Sequence, residues 1–373
     1  MESSVSGSEE RTPCLSEIII YDMVTGRVPG GHQEDYLLAL EKALADCPVR
    51  TFAPFRTRIA SLSNRTERLI GGYSAFRRGL DSRRKTLILV PNPCPMDFVL
   101  LLLAAAVRTR SGRGTAVFVM RRDAAGIVGA GWRAAVLDWI VRRLARGRSL
   151  FMISDARAAM DHWKARTGKD GPIVSIPVRL AATKSRDHNE PLTIGLIGLF
   201  RVEKGALHYS TVIEAAMKAD PFAVVVCQLS NMGARPQEKQ LTAALLDKWG
   251  RNGRVRFHIE HLDAEAFSAM LHGLDIVVLP YDVQSYGPGT SGILFEAVAA
   301  GKIVLTTPIT WAKQEYTGHP NVIWLRDTDS DAIAKGLKAA QTRFQCMHES
   351  GEQPLVVADK FRSSWLTALD AVP

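Results

Sequence analysis

The residues best placed to do chemistry lie between positions 275 and 302. The run from Asp275 to Tyr281 (DIVVLPY) is apolar, has strand length and turns at Pro280. A glycine-rich stretch from Gly287 to Gly292 (GPGTSG) follows, and then a helix-like run from Ile293 to Lys302 carrying a single acid, Glu296. That order puts backbone N–H groups, with the hydroxyls of Thr290 and Ser291, at a helix N-terminus. Unpaired amides and the helix dipole make such a place a ready phosphate site. Glu296 falls about one turn further in, where a carboxylate can accept from ribose hydroxyls, as acids do in other nucleotide sites. The chemistry indicated is the grip on a nucleotide diphosphate.

A second stretch repeats the theme. After an apolar run from Leu192 to Ile197 comes Gly198-Leu-Phe-Arg201-Val-Glu-Lys204-Gly205, and then a helical pattern. A glycine at a strand end lets a backbone approach an anion, and two cations before a helix offset diphosphate charge. Together the two stretches resemble the donor-nucleotide site of the GT-B glycosyltransferases, in particular the retaining family 4, or group 1, enzymes that use nucleoside-diphosphate sugars. The resemblance spans about residues 192–327. It implies that Arg201 and Lys204 are the catalytic cations stabilising the departing diphosphate. Glu296, Thr290, Ser291, Gly292, Tyr281 and Gly198 would bind the donor. It also implies retention of anomeric configuration, no dedicated general base on the protein, no cofactor and no metal. Two positions depart from the family pattern. Leu199 stands where the family commonly has its arginine, so that Arg201 must supply the guanidinium. Pro288 stands eight residues before Glu296, where the family has a first glutamate. That loss bears on sugar identity more than on nucleotide binding.

The first half offers weaker candidates. Paired glycines, Gly30 and Gly31, precede His32 and a helical run, and the GT-B resemblance puts this loop on the acceptor or sugar side. Arg122 and Asp123, just after the run from Ala116 to Met120, occupy the place of the family's His-Asp pair and are assigned to the same side. Asp97, near the start of another helical run, reads equally as a helix cap. His162 and Trp163 read as packing residues. The spacing of Trp132, Val136, Trp139, Ile140 and Arg143 makes an apolar helical stripe with an arginine edge, suited to a core or a membrane-facing edge.

Positioning such residues requires strand–helix alternation, and the chain has it twice. Strands are expected at residues 17–21, 86–90, 116–120, 149–153 and 173–176, with helices at 33–44, 98–108, 132–146 and 156–166. Beyond a polar, aperiodic stretch from Ala181 to Pro191, further strands are expected at 192–197, 222–227, 255–258, 275–279, 302–306 and 322–325. Helices there are expected at 209–219, 237–249, 264–271, 293–300 and 330–342, with a last one at 358–369. Alternation of this kind implies βαβ units and parallel sheets. The fold class expected is α/β, two Rossmann-like domains facing a cleft, the GT-B arrangement. Its parts would be residues 1–185 as an acceptor-side domain, 191–345 as the donor domain, and 346–373 as a C-terminal tail and helix.

Length and composition fit this. A chain of 373 residues with 46% hydrophobic and 23% charged residues has enough apolar material for two cores. The net charge of +9 is lopsided: residues 1–190 carry 30 Lys and Arg against 19 Asp and Glu, while residues 191–373 carry 17 against 19. A basic first half suits an anionic partner such as lipid headgroups or a lipid-linked diphosphate. No aromatic-basic motif supports nucleic acid. Five scattered cysteines with no CxxC pair argue for a reducing compartment and against structural disulfides. The start is polar and acidic, unlike a secretory signal, and the longest apolar run, Phe98 to Val107, is far shorter than the ~20 residues of a membrane span. The expected location is cytoplasmic, peripheral at the inner face of the cell membrane. GxSxG, HExxH, EF-hand and Walker A signatures do not occur.

The function expected is therefore transfer of a sugar, of hexosyltransferase type, from a nucleoside-diphosphate sugar to the hydroxyl of a saccharide or lipid-linked acceptor, for polysaccharide synthesis. Two alternatives share the fold. One is a nucleotide-sugar 2-epimerase, which needs acids and histidines that the sequence does not reveal. The other is a degenerate domain acting as a non-catalytic partner or membrane-docking module.

Overall fold

Both halves close into parallel sheets, as short β-branched runs alternating with helices must. The computed structural model describes residues 17–21, 32–52, 63–109, 111–121, 124–176, 190–230, 234–260, 262–286, 289–350 and 359–373.

The first lobe runs β1 (Glu17–Tyr21), α1 (His32–Ala43), β2 (Val49–Phe52), α2 (Ser63–Asp81), β3 (Thr86–Val90) and α3 (Pro95–Ala106). It continues with β4 (Thr115–Val119), α4 (Ala124–Val128), α5 (Trp132–Arg146), β5 (Leu150–Ile153) and α6 (Arg157–Thr167). The sheet order is β2-β1-β3-β4-β5, every pair parallel. Strands β3 and β4 are buried along their whole length, and their side chains alternate between two cores. Ile88, Val90, Ala116 and Phe118 meet α2, α3 and α5 on one face. Leu87, Leu89, Val117 and Val119 meet α1 on the other.

The second lobe runs β6 (Thr193–Leu196), α7 (Tyr209–Ala219), β7 (Val224–Gln228), α8 (Pro236–Trp249), β8 (Val255–His258), α9 (Ala264–His272) and β9 (Ile276–Leu279). Then come α10 (Val283–Tyr286), α11 (Gly292–Ala299), β10 (Ile303–Thr306), α12 (Thr310–Tyr316), β11 (Val322–Trp324) and α13 (Ser330–Ser350). The sheet order is β11-β10-β9-β6-β7-β8, again parallel throughout. From β6 the chain winds outward through β7 and β8, then restarts on the other side with β9. The switch point between β6 and β9 is where doubly wound sheets bind ligands, outside the carboxyl ends of their strands.

Two elements tie the lobes together. Ala156 and Ala159, at and within the start of α6, share a core with Ile309 and Trp311 of the second lobe. The last helix, α14 (Asp359–Asp370), returns to the first lobe, where Phe361, Trp365 and Leu369 pack beneath β1 and α1. Lys85 Nζ donates to the Val372 carbonyl at 2.7 Å and the Ser175 amide to Ser364 Oγ at 3.0 Å, fastening that return. Among the described residues no helix is long and apolar enough to cross a membrane.

The structure differs from the sequence expectations in several places. Residues 173–176 form no strand but a single bridge, Ser154 to Ile173. Pro172 and Pro177 bracket that segment, and proline cannot donate to a ladder. Strand β2, helix α2 and the short helices α4, α10 and α12 were not expected. Gly71 and Gly72 interrupt the α2 pattern, yet Gly72 lies so close to Tyr21 that a Cβ there would sit 2.4 Å from its hydroxyl.

Candidate functional site

The two glycine stretches meet at the β6–β9 switch point, and glycine is what lets them meet. Gly198, just past β6, has φ +113° and its missing Cβ would lie 2.3 Å from Ile293 Cδ1, in the first turn of α11. Gly205 has φ +87° and its Cβ would lie 2.1 Å from the Pro280 carbonyl oxygen, just past β9. Both need the left-handed region and contact too close for any side chain. The Asp282 amide also donates to the Glu203 carbonyl at 3.2 Å. The turn after β6 is thus seated directly on the turn after β9.

Within the first turn most amides are already engaged. Those of Lys204, Gly205, Ala206 and His208 donate to carbonyls of the same turn, which winds as 3-10 helix at Val202–Lys204 and Ala206–His208. The Gly198 amide donates to Gln228 Oε1 at 2.7 Å. An amide cradle for phosphate at this turn, as the sequence suggests, is therefore largely closed. Phe200, buried beneath, anchors the turn against Tyr209.

Arg201 is an ion-paired residue. Its Nη1 lies 2.9 Å from Oε2 of Glu238, whose side chain has no exposed surface, while the Arg201 side chain is 19% exposed. Glu238 also accepts from the Arg235 amide at 2.6 Å and the Val202 amide at 3.4 Å, so one acid caps α8 and holds the turn after β6. Burial works against the Glu238 charge most strongly. The Arg235 amide and the Arg201 guanidinium outweigh it and hold the carboxyl below its usual range. Lys204 is half-buried at the end of the same turn. Nearby, burial pulls the His208 imidazole down, opposed by the charges of Asp282 and Asp327.

The second turn is built differently. Ser291 is buried and is the N-cap of α11, its hydroxyl accepting from the Leu294 amide at 3.2 Å. The same oxygen shares a hydrogen bond of 2.7 Å with Tyr281, whose ring stacks on Tyr286, and Tyr286 donates to the Thr290 carbonyl. Burial pushes the Tyr281 hydroxyl well up. Tyr281 and Ser291 are consequently framework: their hydroxyls are turned to each other and to the helix. What stays open is backbone. The Gly292 and Ile293 amides stand at the mouth of α11 without a hydrogen-bond partner among the described residues, as the first donors of a helix do. Among the described residues, no atom lies within 4 Å of where a Gly292 Cβ would be. Thr290 and Glu296 are half-buried beside them, Glu296 one turn into α11.

Gly198, Arg201, Lys204, Tyr281, Thr290, Ser291, Gly292 and Glu296 are therefore brought to one sheet edge. Gly31, Arg122 and Asp123 lie outside the described residues; His32 begins α1, and its side chain is likewise outside them. Asp97 is a cap: its Oδ2 accepts from the Cys94 amide at 2.7 Å. Trp163 is fully buried, with the His162 ring edge-on beside it.

Sequence reading missed several polar groups at strand ends. Gln228 and Ser230, both buried, follow β7, and the Ser230 hydroxyl has no partner among the described residues. In the first lobe, Arg121 at the end of β4 lies 2.9 Å from Asp155, donates to Asn92 at 3.0 Å and sits 4.2 Å over the Tyr36 ring. Burial raises the Asp155 carboxyl, and the Arg121 charge opposes it. A polar residue closing an apolar strand run was the available signal. A dimple of about 120 Å³ between Leu207 and Leu245 is too small for a nucleotide sugar.

Two parallel-sheet α/β lobes, with the mouth of α11 at the second sheet's switch point, have the GT-B fold. Residues 191–342 match the family model described as glycosyl transferases group 1. Among solved structures, HepE of Anabaena in complex with UDP and glucose is 14% identical, covering 94% of this chain and 98% of its own, with a TM-score of 0.61. The E. coli trehalose-6-phosphate protein bound with UDP-2-fluoro glucose is 13% identical, covering 95% and 99%, with a TM-score of 0.62. A putative UDP-N-acetylglucosamine 2-epimerase from Listeria monocytogenes is 14% identical, covering 95% and 96%, with a TM-score of 0.60. At these identities the likeness is one of fold. No curated protein matches the chain.

Proposed function

We propose that the protein transfers a sugar, with retention, from a nucleoside-diphosphate hexose to an acceptor hydroxyl on a lipid-linked saccharide. The observation that carries this is the seating of the Gly205 turn on Pro280 beside the open mouth of α11. In this reading the Gly292 and Ile293 amides hold the diphosphate, Lys204 offsets its charge, and Glu296 takes the ribose hydroxyls. Arg201, held by Glu238, contributes field from behind. The bond between the anomeric carbon and the phosphate oxygen breaks as the acceptor oxygen bonds to that carbon. The acceptor proton leaves with the diphosphate, whose developing charge the lysine and the helix dipole stabilise. Neither a metal nor a cofactor has a step in this proposal.

The test is thermal shift of the purified chain with UDP, GDP, ADP and their sugars. One nucleoside diphosphate is expected to stabilise, and Lys204→Ala or Glu296→Ala to weaken it about tenfold or more, the loss of one charge-assisted hydrogen bond. Nucleotide release only on addition of an acceptor supports transfer. Epimer formation without acceptor supports the 2-epimerase, and stabilisation by none of the nucleotides overturns both.

A further inference from the structure

The first lobe carries an apolar surface that no other element covers among the described residues. Among the described residues, 15 large hydrophobic residues stand exposed, and nine of them lie on or beside α2, α3 and α5. These helices are neighbours on one face of the sheet, α2 against α3 and α3 against α5. The middle one is the clearest case. Helix α3 reads PMDFVLLLLAAA, its lone charge, Asp97, is buried, and yet Met96, Val99 and Leu103 face outward. A helix apolar all round normally lies inside a core. Here one side faces outward.

The flanking helix gives the surface its character. Trp132 and Trp139 on α5 are 73% and 58% exposed and share a stripe with Val136. The charges beside them are one-signed: Arg133, Arg142, Arg143 and Arg146 are on α5, whose only acid, Asp138, is buried. On α2, Arg78 is exposed, and the Asp81 acid is already paired with Arg77. Exposed tryptophan, an apolar stripe and an arginine rim, with Asp97 and Asp138 buried and Asp81 paired, are the composition of a face that lies in a lipid interface.

We infer that the outer face of α2, α3 and α5 docks on an anionic lipid bilayer. Its placement agrees with the proposed acceptor but does not depend on it. A helix in a parallel βαβ unit starts at the carboxyl end of its preceding strand. Met96 and Trp132, in the first turns of α3 and α5, therefore lie at the edge of the sheet where ligands bind. A chain lying on this face would hold that edge at the headgroup layer, where a lipid-linked hydroxyl is found. A second copy of the chain is less well matched, because it would set one arginine rim against another.

The experiment is co-sedimentation of the full chain with phosphatidylcholine vesicles, with and without phosphatidylglycerol, alongside quenching of tryptophan fluorescence by brominated lipid. Binding is expected only with the anionic lipid, weakening as salt is raised, with quenching that disappears in Trp132→Phe/Trp139→Phe. Trp139→Glu combined with Leu103→Glu is expected to weaken binding at least tenfold. The thermal midpoint and nucleoside-diphosphate binding should stay unchanged, since both side chains are exposed. Absence of binding to anionic vesicles at low salt overturns the inference. So does binding that both substitutions leave intact, and so does a dimer in solution that they dissolve, which would give the face to a second copy. Nucleotide binding is read separately, so failure here and failure of the transferase reading are distinguishable.

Discussion

Replacing Glu238 by glutamine tests how the turn after β6 is held. The carboxylate has no exposed surface and accepts from Arg201, from the Arg235 amide and, more weakly at 3.4 Å, from the Val202 amide. Glutamine keeps one acceptor oxygen but turns an NH2 group toward donors and removes the charge facing Arg201. Hydrogen bonds to a charged group contribute about 1.5–3 kcal/mol each, and one and a fraction of these are lost, so about 2–4 kcal/mol is expected. For a lobe of this size that lowers the thermal midpoint by about 4–16 °C in a calorimetric scan at neutral pH. Arg201→Met alone should cost at least as much, because it leaves Glu238 buried and unpaired. The double variant should recover part of the loss, as replacing both members of a buried pair often does. The pH dependence has a fixed sign. A carboxyl held below its usual range stabilises fully above the unfolded pKa of about 4.3, and that contribution is lost as pH falls through the lower folded value. The wild-type midpoint should thus fall more steeply below about pH 4 than that of Glu238→Gln. Additive single variants, or a midpoint unmoved by Glu238→Gln, would refute the claim that this acid fastens the turn.

Gly205→Ala should both destabilise and weaken nucleoside-diphosphate binding. It needs φ +87° and brings Cβ to 2.1 Å from a backbone oxygen, so the two turns must part; calorimetry and nucleotide titration read both effects. Ser291→Ala removes the α11 cap and the partner of buried Tyr281, for about 1–3 kcal/mol by denaturant midpoint, whereas Ser291→Thr should cost less. Arg121→Ala should destabilise the first lobe by about 3–5 kcal/mol, since it leaves Asp155 buried without its cation; denaturation followed by tryptophan fluorescence measures it.

How much of this was legible from the sequence follows from what each element's pattern depends on. Strands β3, β4, β9 and β10 are buried along their whole length, and the sequence shows them as unbroken apolar runs. Helix α5 shows as a stripe with helical spacing because one side is core and the other is not. Helix α2 was hidden because its glycines serve contacts outside the helix, Gly72 with Tyr21 and Gly79 with Ile88. The segment at 173–176 misled because apolar residues alone do not make a strand when prolines flank it. The stripe on α5 shows the same limit in reverse. Spacing revealed its period, but only neighbouring helices decide which of its apolar residues are core.

The site was legible as two glycine turns, and their meeting was not. Gly198 and Gly205 are separated from Ile293 and Pro280 by most of the lobe, and only the β6–β9 pairing brings them into contact. The same pairing explains why polar residue types misled about roles. Tyr281 and Ser291 look like ligands in sequence because they are hydroxyls in a glycine-rich stretch, but a helix mouth aimed outward must first be capped and packed, and they do that. Arg201 looks like a phosphate cation, but a guanidinium beside a buried acid is drawn to it. In the proposed function, charge toward the diphosphate then rests on Lys204, with Arg201 acting at longer range from behind. This division makes a specific demand. Lys204→Ala should weaken nucleoside-diphosphate binding while leaving the thermal midpoint of the unliganded chain nearly unchanged. Arg201→Met should lower that midpoint by several degrees and weaken binding less at a temperature where it is folded. If instead Arg201→Met abolishes binding without touching stability, the guanidinium leaves Glu238 for the diphosphate, and the ion pair is only the resting state of a moving group.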